Sequence, residues 1–245
     1  MISKLKNKFR YICSRLLYAL TADVVKKISH ENRTNLLFDE VEKQVYRECA
    51  TFILDNLREA IAVRGDKWAI RKFALNKISK GNIILEFGVW TGSSYTWFDK
   101  HFSGSVFGFD SFDGLPEVWA GTSMPTEKFV LGGKIPKCLM EYSDQGLIKA
   151  GWFSETLPKF LNEHPDEEIS LIHMDADLYS STKYVLETLI SSNKLTPGTI
   201  ILFDNYFGYP GWKLNEHKVV EELLKDRFEY LGYGGGARCV IRITR

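Results

Sequence analysis

"IILEFGVWTGSS", residues 83 to 94, is the stretch whose reading decides the fold. Ile83, Ile84 and Leu85 read as a strand buried on both faces, and Gly88 and Gly92 then break the run just ahead of Ser93 and Ser94, which suit a helix start. A strand that passes through a glycine-spaced turn into a helix is built where something must approach the backbone closely. Outward from this stretch, short β-branched or aromatic runs at 83–87, 105–109, 148–153, 169–174 and 199–203 alternate with helical segments. That alternation predicts an α/β fold, a Rossmann-like, doubly wound and mostly parallel sheet. The stretch "RFEYLGYGGGARCVIRI" (227–243) reads as two strands joined by Gly234, Gly235 and Gly236, a C-terminal antiparallel hairpin closing the sheet's edge. Upstream, helical periodicity over 36–63 stops near Gly65, and a second helix follows at about 67–79. Residues 111–147 form a long irregular stretch, the kind of loop that serves as a lid or binding loop.

The 245 residues are enough for one large domain, burying roughly 70 to 75% of the surface of the unfolded chain. A net charge of +1 and a pI near 7.6 leave no electrostatic footprint for nucleic acid. Cys13, Cys49, Cys138 and Cys239 stand singly without metal or disulfide spacing, which points to reduced thiols and a cytoplasmic protein. The chain divides into a basic amphipathic segment at 1–33 and a main domain at 34–245, the latter with a helical cap at 34–80. In the basic segment Ile2, Leu5, Phe9, Ile12, Leu16 and Leu20 make one apolar stripe with lysines opposite. Its readings are a helix on an anionic membrane surface, a homo-oligomer contact, or a helix packed on its own domain. Its longest apolar run, Leu16 to Leu20, falls far short of the roughly 20 residues of a membrane span.

In open α/β sheets ligands sit beyond the carboxyl ends of the strands, and here those ends are polar: Glu86 with Gly88 and Gly92, then Asp110, then Asp175 and Asp177, then Asp204 and Asn205. Any one of these has a bland reading as a turn residue or helix cap. Carboxylates gathered this closely repel unless a cation or a hydroxyl-rich ligand sits among them. The glycine spacing is not that of a dinucleotide fold, whereas a ribose without a phosphate suits Asp110, and backbone N–H groups with Ser94 suit a small carboxylate.

The motif E-x-G-x-x-x-G-x-S at 86–94 resembles the first motif of S-adenosylmethionine-dependent O-methyltransferases of the catechol type. The likeness extends through "GWFSETLPKFL" (151–161), "LIHMDADLYSST" (171–182) and "LTPGTIILFDNYFGYPG" (195–211). "VFGFDSFDGLPE" (106–117) and "MDADLYSST" (174–182) resemble the macrocin O-methyltransferase family more closely, bacterial enzymes that methylate sugar hydroxyls of natural products. The resemblance implies S-adenosylmethionine as cofactor, with Glu86, Gly88, Trp90, Gly92 and Ser94 around its methionine end, Asp110 on the ribose, and Phe153 and Ser154 beside the adenine. It also implies Mg²⁺ on Asp175, Asp204 and Asn205, with Asp175 shared between metal and cofactor, and a small-molecule hydroxyl acceptor. Asn205 stands where macrocin-type enzymes often carry an aspartate, and Leu178 where the catechol enzyme has its lysine base. Asp177 is the candidate base in its place, against a role as helix cap or support to the metal, and Lys183 reads as a surface residue. His173 reads as a hydrogen-bonded core histidine and His217 as a solvated loop residue, while Tyr206, Phe207, Tyr209 and Trp212 divide between packing and stacking on an acceptor. Two rival readings stay open: a glycosyltransferase using Asp175-Ala-Asp177 as a metal motif, and a catalytically silent binding module.

Overall fold

The computed structural model describes Thr21 and residues 36–245, so the expectations for the basic stripe at 1–33 lie outside the described residues apart from Thr21. The chain forms two compact units, Met1–Arg47 and Glu48–Arg245. In the first, residues 36–47 are helical.

The second unit opens with helix α1 (48–56) and carries eight strands: β1 (Ile61–Val63), β2 (Ile83–Phe87), β3 (Ser105–Asp110), β4 (Ile148–Ala150), β5 (Ile169–Met174), β6 (Ile200–Phe203), β7 (Phe228–Gly234) and β8 (Arg238–Ile243). They form one sheet in the order β1-β7-β8-β6-β5-β2-β3-β4, in which β8 alone runs against the others. The helices between them are α2 (Lys67–Leu75), α3 (Ser93–His101), α4 (Met140–Asp144), α5 (Phe153–Glu163), α6 (Tyr179–Ser191) and α7 (Glu216–Leu223). Among the described residues no helix is long and apolar enough to cross a membrane.

The strand pleat sorts the core into two layers. Ile84, Val106, Leu171 and Ile200 pack with Ile70 and Ala74 of α2 and Tyr95 and Phe98 of α3. The alternate residues face the other way, where Phe107 and Phe109 meet Phe160 of α5 at ring distances of 4.8 and 5.3 Å. On the first of these faces the pleat leaves two polar side chains, Glu86 and His173, which the β2–β5 register sets opposite each other.

Two expectations about the elements are corrected. The helix expected over 36–63 ends at 56, and Ile61–Val63 becomes an edge strand parallel to β7. Gly232 and Gly234 make room for it: a Cβ on Gly234 would stand 2.2 Å from the Val63 carbonyl oxygen. The C-terminal hairpin is not the sheet's edge, because β8 inserts between β6 and β7 and β1 covers β7. The stretch 111–147 is long and irregular as expected, punctuated by short 3-10 turns at Thr126–Phe129 and Lys137–Leu139 and by α4.

Candidate active site

The glycine turn after β2 is shaped by the protein itself. Gly88 has φ +92°, and a Cβ there would lie 2.0 Å from the Asp175 carbonyl oxygen. Gly92 has φ +82°, and its Cβ would meet Leu139, a buried residue of the long loop, at 2.7 Å. The space that a Cβ at either glycine would need is taken by β5's end and by Leu139. Asp110 pins the same turn: one carboxylate oxygen accepts the Val89 and Trp90 N–H groups at 2.8 and 2.7 Å, and the other accepts the Phe112 N–H at 2.6 Å. Ser94 does not point its hydroxyl outward for a carboxylate, since its Oγ donates to Glu86 Oε1 at 2.5 Å. The anion-binding capacity of this turn lies instead in the first N–H groups of α3, whose N-cap Gly92 offers no side-chain cap.

Beneath the turn runs a buried ionic chain. Glu86 Oε1 is 3.0 Å from His173 Nδ1, and His173 Nε2 is 3.3 Å from Asp204 Oδ1. Burial opposes the imidazolium, but the Asp204 and Glu86 carboxylates prevail and raise the His173 pKa to about 9. The same Asp204 accepts from Arg71 Nη2 at 2.6 Å and, bidentately, from Arg238 Nε and Nη2 at 2.7 and 2.6 Å. Register explains the last pair: Phe203 lies opposite Cys239 in the β6–β8 ladder, so the next step sets Asp204 beside Arg238. Burial works against the Asp204 charge, yet His173, Arg71 and Arg238 hold the carboxyl well below its usual range.

The neighbouring acids behave oppositely. Burial and the charge of Asp204 push Asp175 up to about 7. Asp177 is buried at φ +62° and is raised well above the carboxylate range by burial and then by Asp175 and Asp204. Its Oδ1 accepts from Asn205 Nδ2 at 2.7 Å, and α6 begins without a side-chain cap, so Asp177 is not the cap of that helix. Buried Glu216 lies behind this group and accepts the Asn205 N–H at 3.1 Å.

A cavity of about 330 Å³ opens over these strand ends. It brings together Gly88, Trp90, Ser94, Asp110, Phe153, Asp175, Asp177, Asp204 and Asn205 from the expected residues. Glu86 lies beneath it, Gly92 is turned to Leu139, and Ser154 is exposed on α5 outside the lining. The residues that the sequence reading missed are Lys67, Arg71 and Arg238 in the lining, with Glu216 behind it. An arginine set between Ile70 and Ala74 on the inward stripe of α2 is the signal that exposes Arg71. His173 is the core histidine expected. His217 is corrected: it sits in α7, half-buried, 3.1 Å from the Tyr206 hydroxyl, with its pKa lowered to about 4 by burial and Lys213. Tyr206, Phe207 and Trp212 are buried in packing and are not a stacking surface for an acceptor.

A profile of the family described as Macrocin-O-methyltransferase (TylF) matches residues 66–223, more than half of the chain and all the strand ends named above. The chain belongs to this family. Among curated relatives it is 29% identical over 142 residues to a Streptomyces olivaceus protein named 8-demethyl-8-(2,3-dimethoxy-alpha-L-rhamnosyl)-tetracenomycin-C 4'-O-methyltransferase. That match takes in 50% of this chain and 52% of the relative, about half of each. Among solved structures it is similar to CalS11, a calicheamicin methyltransferase, at a TM-score of 0.55 and 22% identity over 83% of this chain and 91% of that one. The apo structure of CalS11, described as a TDP-rhamnose 3'-O-methyltransferase, gives a TM-score of 0.50 at 20% identity over 83% and 93%. These likenesses establish the methyltransferase fold.

The donors present in this macrocin-family member suit S-adenosylmethionine: uncapped α3 N–H groups for a carboxylate, Asp110 at the end of β3, and aromatic walls at Trp90 and Phe153. They do not suit Mg²⁺ on the expected set. His173, Asp175 and Asp204 bring ligand atoms within 4.8 Å of one another, but His173 has both nitrogens engaged and Asp204 is held by two guanidinium groups. Asn205 turns its amide N–H toward Asp177 and Asp175, at 2.7 and 3.4 Å. A divalent cation on Asp204 would sit against two fixed positive charges.

Proposed function

We propose that the chain is an S-adenosylmethionine-dependent O-methyltransferase acting on a hydroxyl of a small molecule, the sugar moiety of a natural product or glycan. The observation that carries this reading is the single cavity wall shared by the glycine turn with Asp110 and by the carboxylates Asp175 and Asp177: one side suits the cofactor, the other a hydroxyl. The curated relative's name places its methyl on a rhamnosyl hydroxyl, and the same acceptor class suits a lining of aromatic faces and carboxylates.

When bound, S-adenosylmethionine supplies a methyl already activated on a sulfonium. The chain's own residues then orient and deprotonate. Asp110 fixes the Val89–Trp90 backbone, and Trp90, held at φ +46° with its ring edge-on to Phe129, lines the cavity beside the glycine turn, where it would wall the bound cofactor. Asn205 holds Asp177 Oδ1 and leaves Oδ2 open to take the acceptor's proton. Its raised pKa makes Asp177 a stronger base than a solvated carboxylate. Held geometry matters most where the electrophile is already reactive. Incubation of the protein with labelled S-adenosylmethionine and rhamnosylated acceptors tests the proposal: label in the sugar is expected, and lost on Asp177→Asn. Label in no hydroxyl acceptor, from a protein that binds the cofactor, overturns it.

A further inference from the structure

We propose that the Arg71–Asp204–Arg238 clamp takes the place of a divalent cation, so that this site handles its acceptor hydroxyl without a metal ion. The inference rests on the methyl-transfer reading above and says which charge serves it. The positions are fixed by backbone: Asp204 ends β6, Arg238 begins β8 one step past the Phe203–Cys239 pair, and Arg71 lies on the buried stripe of α2, where its Nη1 donates to Lys67 O at 3.1 Å. Arg238 is held from behind as well, by its Nη1 bond to the Gly235 carbonyl. Asp204 Oδ1 accepts from Arg71, Arg238 and His173, and Oδ2 from Arg238, which leaves little of the carboxylate for a cation.

Charge points the same way. A hard divalent ion takes carboxylate and carbonyl oxygens, yet Asn205 presents its amide N–H₂, not its oxygen, to Asp177 and Asp175. Two arginines fill the space where the ion's charge would be. Arg71 and Arg238 both line the cavity, and Arg71 Nε, buried, has no partner in the protein. The guanidinium field of Arg71 and Arg238 is suited to the acceptor oxygen as its negative charge grows. The step balances without a metal. The hydroxyl proton passes to Asp177 Oδ2, the oxygen–carbon bond forms as the carbon–sulfur bond breaks, and the sulfonium leaves as a neutral thioether.

The test uses the full chain and Mn²⁺ alone, followed by electron paramagnetic resonance of the free ion. Wild type is expected to leave millimolar Mn²⁺ free. The double substitution Arg238→Met with Asn205→Asp removes one guanidinium and adds one carboxylate, and is expected to tighten Mn²⁺ binding by roughly tenfold or more. Arg238 is chosen because it lies at a strand end, and circular dichroism checks that the variant is folded. Tight Mn²⁺ binding by wild type that Asp204→Asn abolishes overturns the proposal, as does a folded double variant that binds no better than wild type. Calorimetry of S-adenosylhomocysteine on the same samples reports on the methyl-transfer reading separately. Failure there leaves the Mn²⁺ result standing as a statement about the clamp.

Discussion

Replacing Gly88 by alanine tests whether the turn after β2 is built around β5. At φ +92° a side chain is strained, and the new Cβ would lie 2.0 Å from the Asp175 carbonyl oxygen and 2.8 Å from its carbon, both backbone atoms. Backbone strain of this kind costs on the order of 1 to 3 kcal/mol, and forcing apart packed groups costs about 1 to 3 more. Gly133 provides the control, because its φ is +68° with nothing within 4 Å of a Cβ. Gly133→Ala therefore bears the strain alone, and the difference between the two variants isolates the clash at about 1 to 3 kcal/mol. In a domain of this size each kcal/mol moves Tm by roughly 2 to 4 °C, so calorimetric melting resolves the difference. The displaced Asp175 also lines the cavity, and Gly88→Ala should weaken S-adenosylhomocysteine where Gly133→Ala does not. Equal Tm values for the two variants, with unchanged affinity, would refute the reasoning.

The His173 pKa of about 9, above its unfolded value near 6.5, means that its contribution is complete below pH 6.5 and lost as pH rises through 9. Urea unfolding between those limits should lose on the order of 3 kcal/mol, and His173→Asn should flatten that window. Asp175, raised to about 7, is likewise easier to bury protonated, so its stability contribution disappears as pH climbs from about 4 to 7. Asp175→Asn should stabilise the fold at pH 8 by on the order of 2 kcal/mol and leave it unchanged at pH 3, as read from Tm. Leu139→Ala should cost about 2 to 4 kcal/mol and should also raise protease sensitivity within 111–147, because Leu139 is the buried residue seated on Gly92.

The sheet was legible because its central strands are mostly apolar runs, interrupted only by Glu86 in one and Ser170 and His173 in the other: Ile83–Phe87 and Ile169–Met174 coincide with their expected spans. β1 was not, since three residues cannot establish a period, and Ile61 reads equally well as the end of a helical stripe. The strand-end acids were visible as a group because parallel topology delivers all of them to one edge. What each touches was not, because those partners come from far along the chain. Nothing near Asp204 shows that β8 returns antiparallel with Arg238 at its start, or that α2 turns Arg71 inward. The metal expectation was formed without these partners: a sequence presents Asp204 as a free carboxylate, and the fold supplies its counter-charges. Which of the aromatics at 206–212 turn inward was hidden in the same way, for composition cannot tell an inward ring from an exposed one; Tyr206, Phe207 and Trp212 are the ones that pack.

The most direct measurement is calorimetric titration of the full chain with S-adenosylhomocysteine in buffer containing EDTA. Saturable binding at one site per chain, with a Kd on the order of micromolar, is expected, and Asp110→Ala should weaken it because Val89, Trp90 and Phe112 lose the carboxylate that orders their backbone. No binding of S-adenosylhomocysteine with or without Mg²⁺, while a nucleotide sugar binds the same protein, would contradict the account.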